Sequence, residues 1–173
     1  FNLPETHRLY YLAAGFTDLW RRINIYWKDF MLKVFYYPIN FKLKKLGPMG
    51  SMVVATLLVF VLTWAFHAYQ WFWLRGTLLW TVPDMLFWGI LGLFVVGNSV
   101  QEMRQGRRRT LGERRIPWGE RIRHAAAVYG TFVTMMVLWS LWSATTVREW
   151  LGLFSTVRLD AALVGAVLGL TLA

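Results

Sequence analysis

The chain has 173 residues, is 57% hydrophobic and 17% aromatic, contains eleven Trp and carries a formal net charge of +10. That composition excludes an ordinary soluble domain. The positive charge is clustered, which points to membrane-surface asymmetry and away from a nucleic-acid binder. There is no cysteine, and the histidines are His7, His67 and His124 alone. A disulfide framework, thiolate chemistry and a Cys- or His-rich metal site are therefore not expected.

The sequence starts at Phe1 without an initiator Met, shows no signal peptide and stops inside an apolar stretch at Ala173. It reads as a piece of a longer protein. Residues 1–48 form the first unit. Their stretch 9–46 is aromatic and apolar but too charged to span a membrane as a free helix. Asp18 with Arg22 and Asp29 with Lys33 have the i,i+4 spacing of helix-surface pairs. Trp20, Asn24, Trp27 and Met31 share one helical face. An amphipathic interfacial or re-entrant helix pressed against a bundle is predicted, ending before Pro38 because the residue preceding proline is pushed out of the α region. Asn24 on that aromatic face needs hydrogen-bond partners; it either ties two helices together or serves a site.

Residues 49–173 read as a transmembrane bundle. Met49–Leu74 carries no Asp, Glu, Lys or Arg and is long enough for a bilayer core of about 30 Å. Leu78–Val100 follows, opened by Val82-Pro83-Asp84, where proline suits a helix start. Ala125–Val147 is the third span. Leu159–Ala173 is a shortened fourth, with Ala161, Gly165 and Gly169 forming a small-residue stripe suited to close helix packing. The fold class expected is an all-α, polytopic transmembrane bundle.

The loop 101–124 between spans two and three holds Arg104, Arg107, Arg108, Arg109, Arg114, Arg115, Arg121 and Arg123. Lys42, Lys44 and Lys45 precede span one. Two spans separate the clusters, so both fall on one side, which the positive-inside rule makes cytoplasmic. Topology signalling is the arginines' expected role, with binding of an acidic partner or anionic lipid as the alternative. Span one then runs outward, and His67 lies roughly 25 Å along the helix from Ser51.

His67 stands alone as a basic side chain in a span that carries no Asp, Glu, Lys or Arg. Such residues face a bundle interior or a water-filled path. Burial disfavours the charged imidazolium, and a neutral ring can accept a proton, as a general base does. The structural alternative is a histidine that hydrogen-bonds a neighbouring helix. Trp64 and Trp71, at −3 and +4 from His67, either wall a dry channel beside it or are packing and lipid-facing aromatics. His7 and His124, near a chain end and a loop, are not expected to act.

The run Phe16-Thr17-Asp18-Leu19-Trp20-Arg21-Arg22-Ile23-Asn24-Ile25, followed by Trp27 and by Phe35-Tyr36-Tyr37-Pro38, resembles the membrane-bound O-acyltransferase family. There a Trp-Arg-x-x-Asn/His stretch precedes a Tyr-x-Pro turn, and a buried catalytic His lies on a later helix. Thr63-Trp64-Ala65-Phe66-His67-Ala68 is the matching stretch here, and the run from Thr131 to Trp150 looks like the last helices of bacterial members. The resemblance covers most of this chain but only the C-terminal half of the family's fold, so the chain would be a fragment of it. Bacterial relatives that acetylate polysaccharides or load D-alanine onto teichoic acid tend to carry His where Asn24 stands, with glycine-rich surroundings at the catalytic His. Phe66 and Ala68 flank His67 here, and Asn24 is more like the sterol and glycerolipid branch. Polysaccharide, cell-envelope polymer and lipid all stay open as acceptors.

The resemblance implies acyl transfer from a thioester donor, acyl-CoA or an acyl-carrier protein, to a hydroxyl acceptor, with no bound cofactor. His67 would be the general base and Asn24 the orienting group, with Trp20, Trp27, Trp64 and Trp71 lining the substrate path. The lipid bilayer, other subunits and the N-terminal helices are the implied partners, and a bacterial inner membrane the implied location. Two other classes remain: a non-catalytic membrane scaffold, and a transporter using His67 as a proton relay.

Overall fold

The computed structural model describes residues 5–106 and 117–156, and every regular element among them is helical. Helices α1 (Phe16–Arg22), α2 (Ile25–Met31) and α3 (Tyr37–Lys42) precede three long ones, α4 (Gly47–Arg75), α5 (Val82–Gln105) and α6 (Trp118–Ser143). A short helix, α7 (Val147–Thr156), follows. Helices α4, α5 and α6 are long and apolar enough to cross a membrane, which is consistent with a membrane protein. Span one thus extends past Met49–Leu74 at both ends, span two starts later than Leu78, and span three starts before Ala125 and ends at Ser143. The fourth span, residues 159–173, and Arg107, Arg108, Arg109, Arg114 and Arg115 lie outside the described residues.

Local chemistry sets the helix ends. Pro48 stands in the first turn of α4, and Gly76 closes the helix at φ 74°, donating its N–H to Phe72 O at 2.8 Å; glycine reaches that left-handed conformation without steric penalty. Thr81 caps α5 by accepting from the Asp84 N–H, with Pro83 inside the first turn. Within the spans, Thr56, Thr63 and Thr131 donate their hydroxyls to the carbonyls of Met52, Val59 and Ala127. Hydroxyls in an apolar span are satisfied this way without a partner helix.

Helices α4 and α5 pack as an antiparallel pair, and α6 packs on α5. A methyl group at Gly92 would stand 3.0 Å from the Phe60 ring, so the glycine permits close approach of α4 and α5. Phe60, Phe87, Trp88, Leu91, Val95, Met135 and Leu138 form the core, joined by Ala13 and Leu19 from the N-terminal segment.

That segment dips along the bundle and returns. It starts against the C-terminal end of α5, where Phe16 N donates to Asn98 Oδ1 (2.6 Å) and Arg21 pairs with Glu102 (3.0 Å). Trp20 then meets Phe60 at 4.6 Å, and Trp27 meets Phe66 at 5.5 Å, further along α4. By Leu46 the chain is back beside Gly50 at the start of α4.

Three local expectations are corrected. The helix predicted through Trp20, Asn24 and Trp27 breaks at Ile23, which is extended, and Asn24, which is left-handed at φ 43°. Residues 6–8 capture the freed backbone there: Ile25 N donates to Thr6 O, and Arg8 N to Arg22 O, both at 2.9 Å. Asparagine is among the few non-glycine residues that tolerate this conformation. Pro38 does not end the helix. A π-helical turn, Leu32–Tyr36, leads directly into α3, with Tyr37 still in the α region; the wider turn lies where the proline ring would otherwise meet the Val34 carbonyl. Finally, Asp29 pairs with Lys28 at 2.8 Å and not with Lys33, whereas Asp18–Arg22 forms at 2.8 Å as its spacing predicts.

Candidate functional site

A cavity of about 310 Å³ lies where the N-terminal segment, α4, α5 and α6 meet. Trp20, Asn24 and Trp27 line it from the segment, His67 from α4, Phe87, Trp88 and Leu91 from α5, and Met135, Trp139 and Trp142 from α6. Trp20 on α1, Asn24 in the break at Ile23–Asn24 and Trp27 on α2 all meet at one cavity.

His67 is half-buried. Its Nδ1 lies 2.8 Å from the carbonyl of Thr63, one turn back. A carbonyl only accepts, so Nδ1 carries the hydrogen, and in the neutral ring the free lone pair is on Nε2. The imidazole is packed among indoles, with ring centroids 4.7 Å from Trp88, 6.0 Å from Trp27 and 6.4 Å from Trp142. The indole N–H groups of Trp27 and Trp88 are buried and have no hydrogen-bond partner among the described residues. Buried donors without partners are uncommon, and two of them border this histidine.

Asn24 is solvent-exposed within the described residues and stands at the cavity opening. Lys28 also lines the cavity; its ammonium hydrogen-bonds Asp29 and, aided by the charge attraction, holds that carboxyl below its usual range. Arg22 is held more firmly in its charged form by the hydrogen bond it donates to Asp18.

Trp64 and Trp71 do not line this cavity. Positions −3 and +4 both fall roughly 40–60° to the same side of His67 at 100° per residue, and that side faces elsewhere. The Trp64 indole donates to Asp84, and Trp71 lies under the Arg75 guanidinium at 4.4 Å. Sequence reasoning missed Trp88 as a neighbour of His67; the signal was the Trp-bearing start of α5, five residues from Pro83. It also set His7 aside, yet His7 reaches the cavity rim. His124 is exposed on α6.

A second cavity of about 190 Å³ adjoins the first and shares Trp20 and Lys28 with it. Arg21, Thr17, Ser99 and Tyr36 give it a more polar lining, and burial pushes the Tyr36 phenol up from its ordinary pKa. It lies toward the end of the bundle that carries Arg21, Glu102 and the start of α4. No group of His, Asp and Glu that could hold a metal ion occurs among the described residues. No protein family, curated protein or solved structure matches this chain.

Proposed function

We propose that the His67 cavity is an acyl-transfer site, in which an acyl group passes from a thioester, on coenzyme A or a carrier protein, to a hydroxyl acceptor. The observation that carries this reading is the convergence of Trp20, Asn24 and Trp27 with His67 on one aromatic cavity, although more than 40 residues separate Asn24 from His67 in sequence. These are the positions at which the sequence resembles the membrane-bound O-acyltransferases.

In the proposed reaction, His67 Nε2 takes the proton of the acceptor hydroxyl as its oxygen attacks the thioester carbonyl. The tetrahedral intermediate collapses with cleavage of the C–S bond, and the departing sulfur takes the proton from His67 to leave as a thiol. Asn24 orients the reacting groups at the opening. The unpartnered indole N–H groups of Trp27 and Trp88 are suited to an oxygen that gains negative charge. The second cavity, lined by Arg21 and Lys28, offers two cations, each already paired with a carboxylate, on the side from which an anionic donor would arrive. The proton-relay alternative is weakened by Asp84, since both of its carboxylate oxygens already accept indole N–H groups.

Thiol release from a panel of acyl thioesters, measured on purified protein with a hydroxyl acceptor, tests the reading. His67→Ala should abolish release while the thermal unfolding profile stays near wild type. Turnover near wild type in that variant would make a scaffold the better description.

A further inference from the structure

Asp84 is the one fully buried charged side chain among the described residues, 1% exposed, and it touches no substrate path directly. It sits in the first turn of α5, where the helix dipole favours a negative charge. Its Oδ1 accepts the Trp142 Nε1–H from α6 at 2.6 Å, and its Oδ2 accepts the Trp64 Nε1–H from α4. A carboxylate removed from water is costly unless its oxygens are satisfied, and here one carboxylate holds two indoles on two different helices.

The two indoles differ in what they face. Trp142 lines the His67 cavity, stacks on Phe87 at 4.9 Å with planes 12° apart, and borders both His67 and Trp88. Trp64 packs on Trp80 at 4.8 Å and lines a separate, apolar cavity with Leu57, Val61 and Gly89. A carboxylate that served only to tie helices would matter equally through either indole. A carboxylate that shapes the site matters through Trp142.

We infer that Asp84 is a positioning residue: by fixing the Trp142 indole it sets the cavity wall beside His67, and through it the size of acyl group that His67 can serve. The part concerning acyl size rests on the acyl-transfer reading above; the part concerning the wall does not. Released from Asp84, the Trp142 ring can turn on its side-chain torsions, which widens the cavity and uncovers His67.

The test uses wild type, Asp84→Leu, Trp142→Phe and Trp64→Phe, each purified in detergent. Leucine keeps the branched outline of the side chain and removes both acceptors, with methyls bulkier than the oxygens they replace. The first measurement is kcat/KM over acyl-CoA donors of increasing chain length. Asp84→Leu and Trp142→Phe should shift the long-to-short preference by about tenfold, the low end of what one methylene in a pocket discriminates, while Trp64→Phe keeps the wild-type ratio and loses only thermal stability. The same ratio in all four proteins overturns the inference about selectivity. The second measurement needs no activity: the rate of His67 modification by diethyl pyrocarbonate, read by peptide mass spectrometry. It should rise several-fold in Asp84→Leu and Trp142→Phe and stay unchanged in Trp64→Phe. Equal rates overturn the positioning role itself. If wild type transfers no acyl group from any donor, the acyl-transfer reading fails, and the modification rates alone decide whether Asp84 sets the wall. If Asp84→Leu does not fold, Asp84→Asn, which keeps the size of the side chain but only one oxygen acceptor for the two indoles, takes its place in both measurements.

Discussion

At the scale of the residue, His67 reaches back to the carbonyl of Thr63, and that contact selects Nε2 as the atom free to accept a proton. The contact needs only a turn of helix and a ring of the right reach. Asn24 holds a different kind of position: its left-handed backbone keeps it at the cavity opening, and its side chain is exposed. Asn24→Ala should therefore slow acyl transfer without abolishing it, within the roughly 10²–10³-fold that loss of one orienting donor costs elsewhere, and the same thiol-release assay reads it. Asp29 gives a pH prediction. Its pKa is lowered in the folded chain, chiefly by the hydrogen bond from Lys28. The stability it contributes is present above the unfolded-state value and fades as pH falls through the lower folded-state value. Asp29→Asn should lower stability slightly at neutral pH and leave the low-pH end unchanged, flattening the acid-side slope; the effect is small because the carboxylate is exposed and its pair screened by solvent. A denaturation series from pH 7 downward checks this.

Among the elements, α4 and α5 depend on Gly92. A side chain there must displace the base of the Phe60 ring, which also packs against Trp20 at 4.6 Å. Gly92→Val should destabilise the bundle by about 1–3 kcal/mol, as overpacking does in other cores, measured as a lowered thermal midpoint in detergent. Gly89, with open space around it, should accept alanine with little change in the same assay. The N-terminal segment shows how far local signals reach. Its pattern of Trp20, Asn24 and Trp27 indicated residues that belong together, yet the helix joining them is absent. The backbone of residues 6–8 competes for the same donors and acceptors, and a contact of that kind has no local signature. Pro38 is a similar case: the rule that proline stops a helix is a statement about an α turn, and a π turn lies just before it.

For the whole molecule, the basic residues give an orientation that can be tested. Lys44 and Lys45 precede α4, and Arg104 ends α5, so both lie at the same end of the antiparallel pair. We expect that end to be cytoplasmic. The chain has no cysteine, so single cysteines at Gln105 and Thr77 can be labelled without background. In intact cells an impermeant maleimide should reach Thr77→Cys and not Gln105→Cys; the reverse pattern would invert the topology.

The sequence by itself determined the class of this protein and its three described spans, because hydropathy and length are properties of a contiguous stretch and the bilayer reads them locally. It also singled out His67, since an ionisable group in an otherwise uncharged span is visible without any neighbour. Only the tertiary structure decided which residues surround that histidine. Trp88, Trp142 and His7 reach the cavity from other elements, while Trp64 and Trp71, though closer in sequence, face away. Rotation of one helix against another is fixed by packing among several side chains at once, here Asp84 with two indoles and Gly92 with Phe60. Such pairings join residues 20 to 58 apart along the chain, beyond the reach of any periodicity within a single helix.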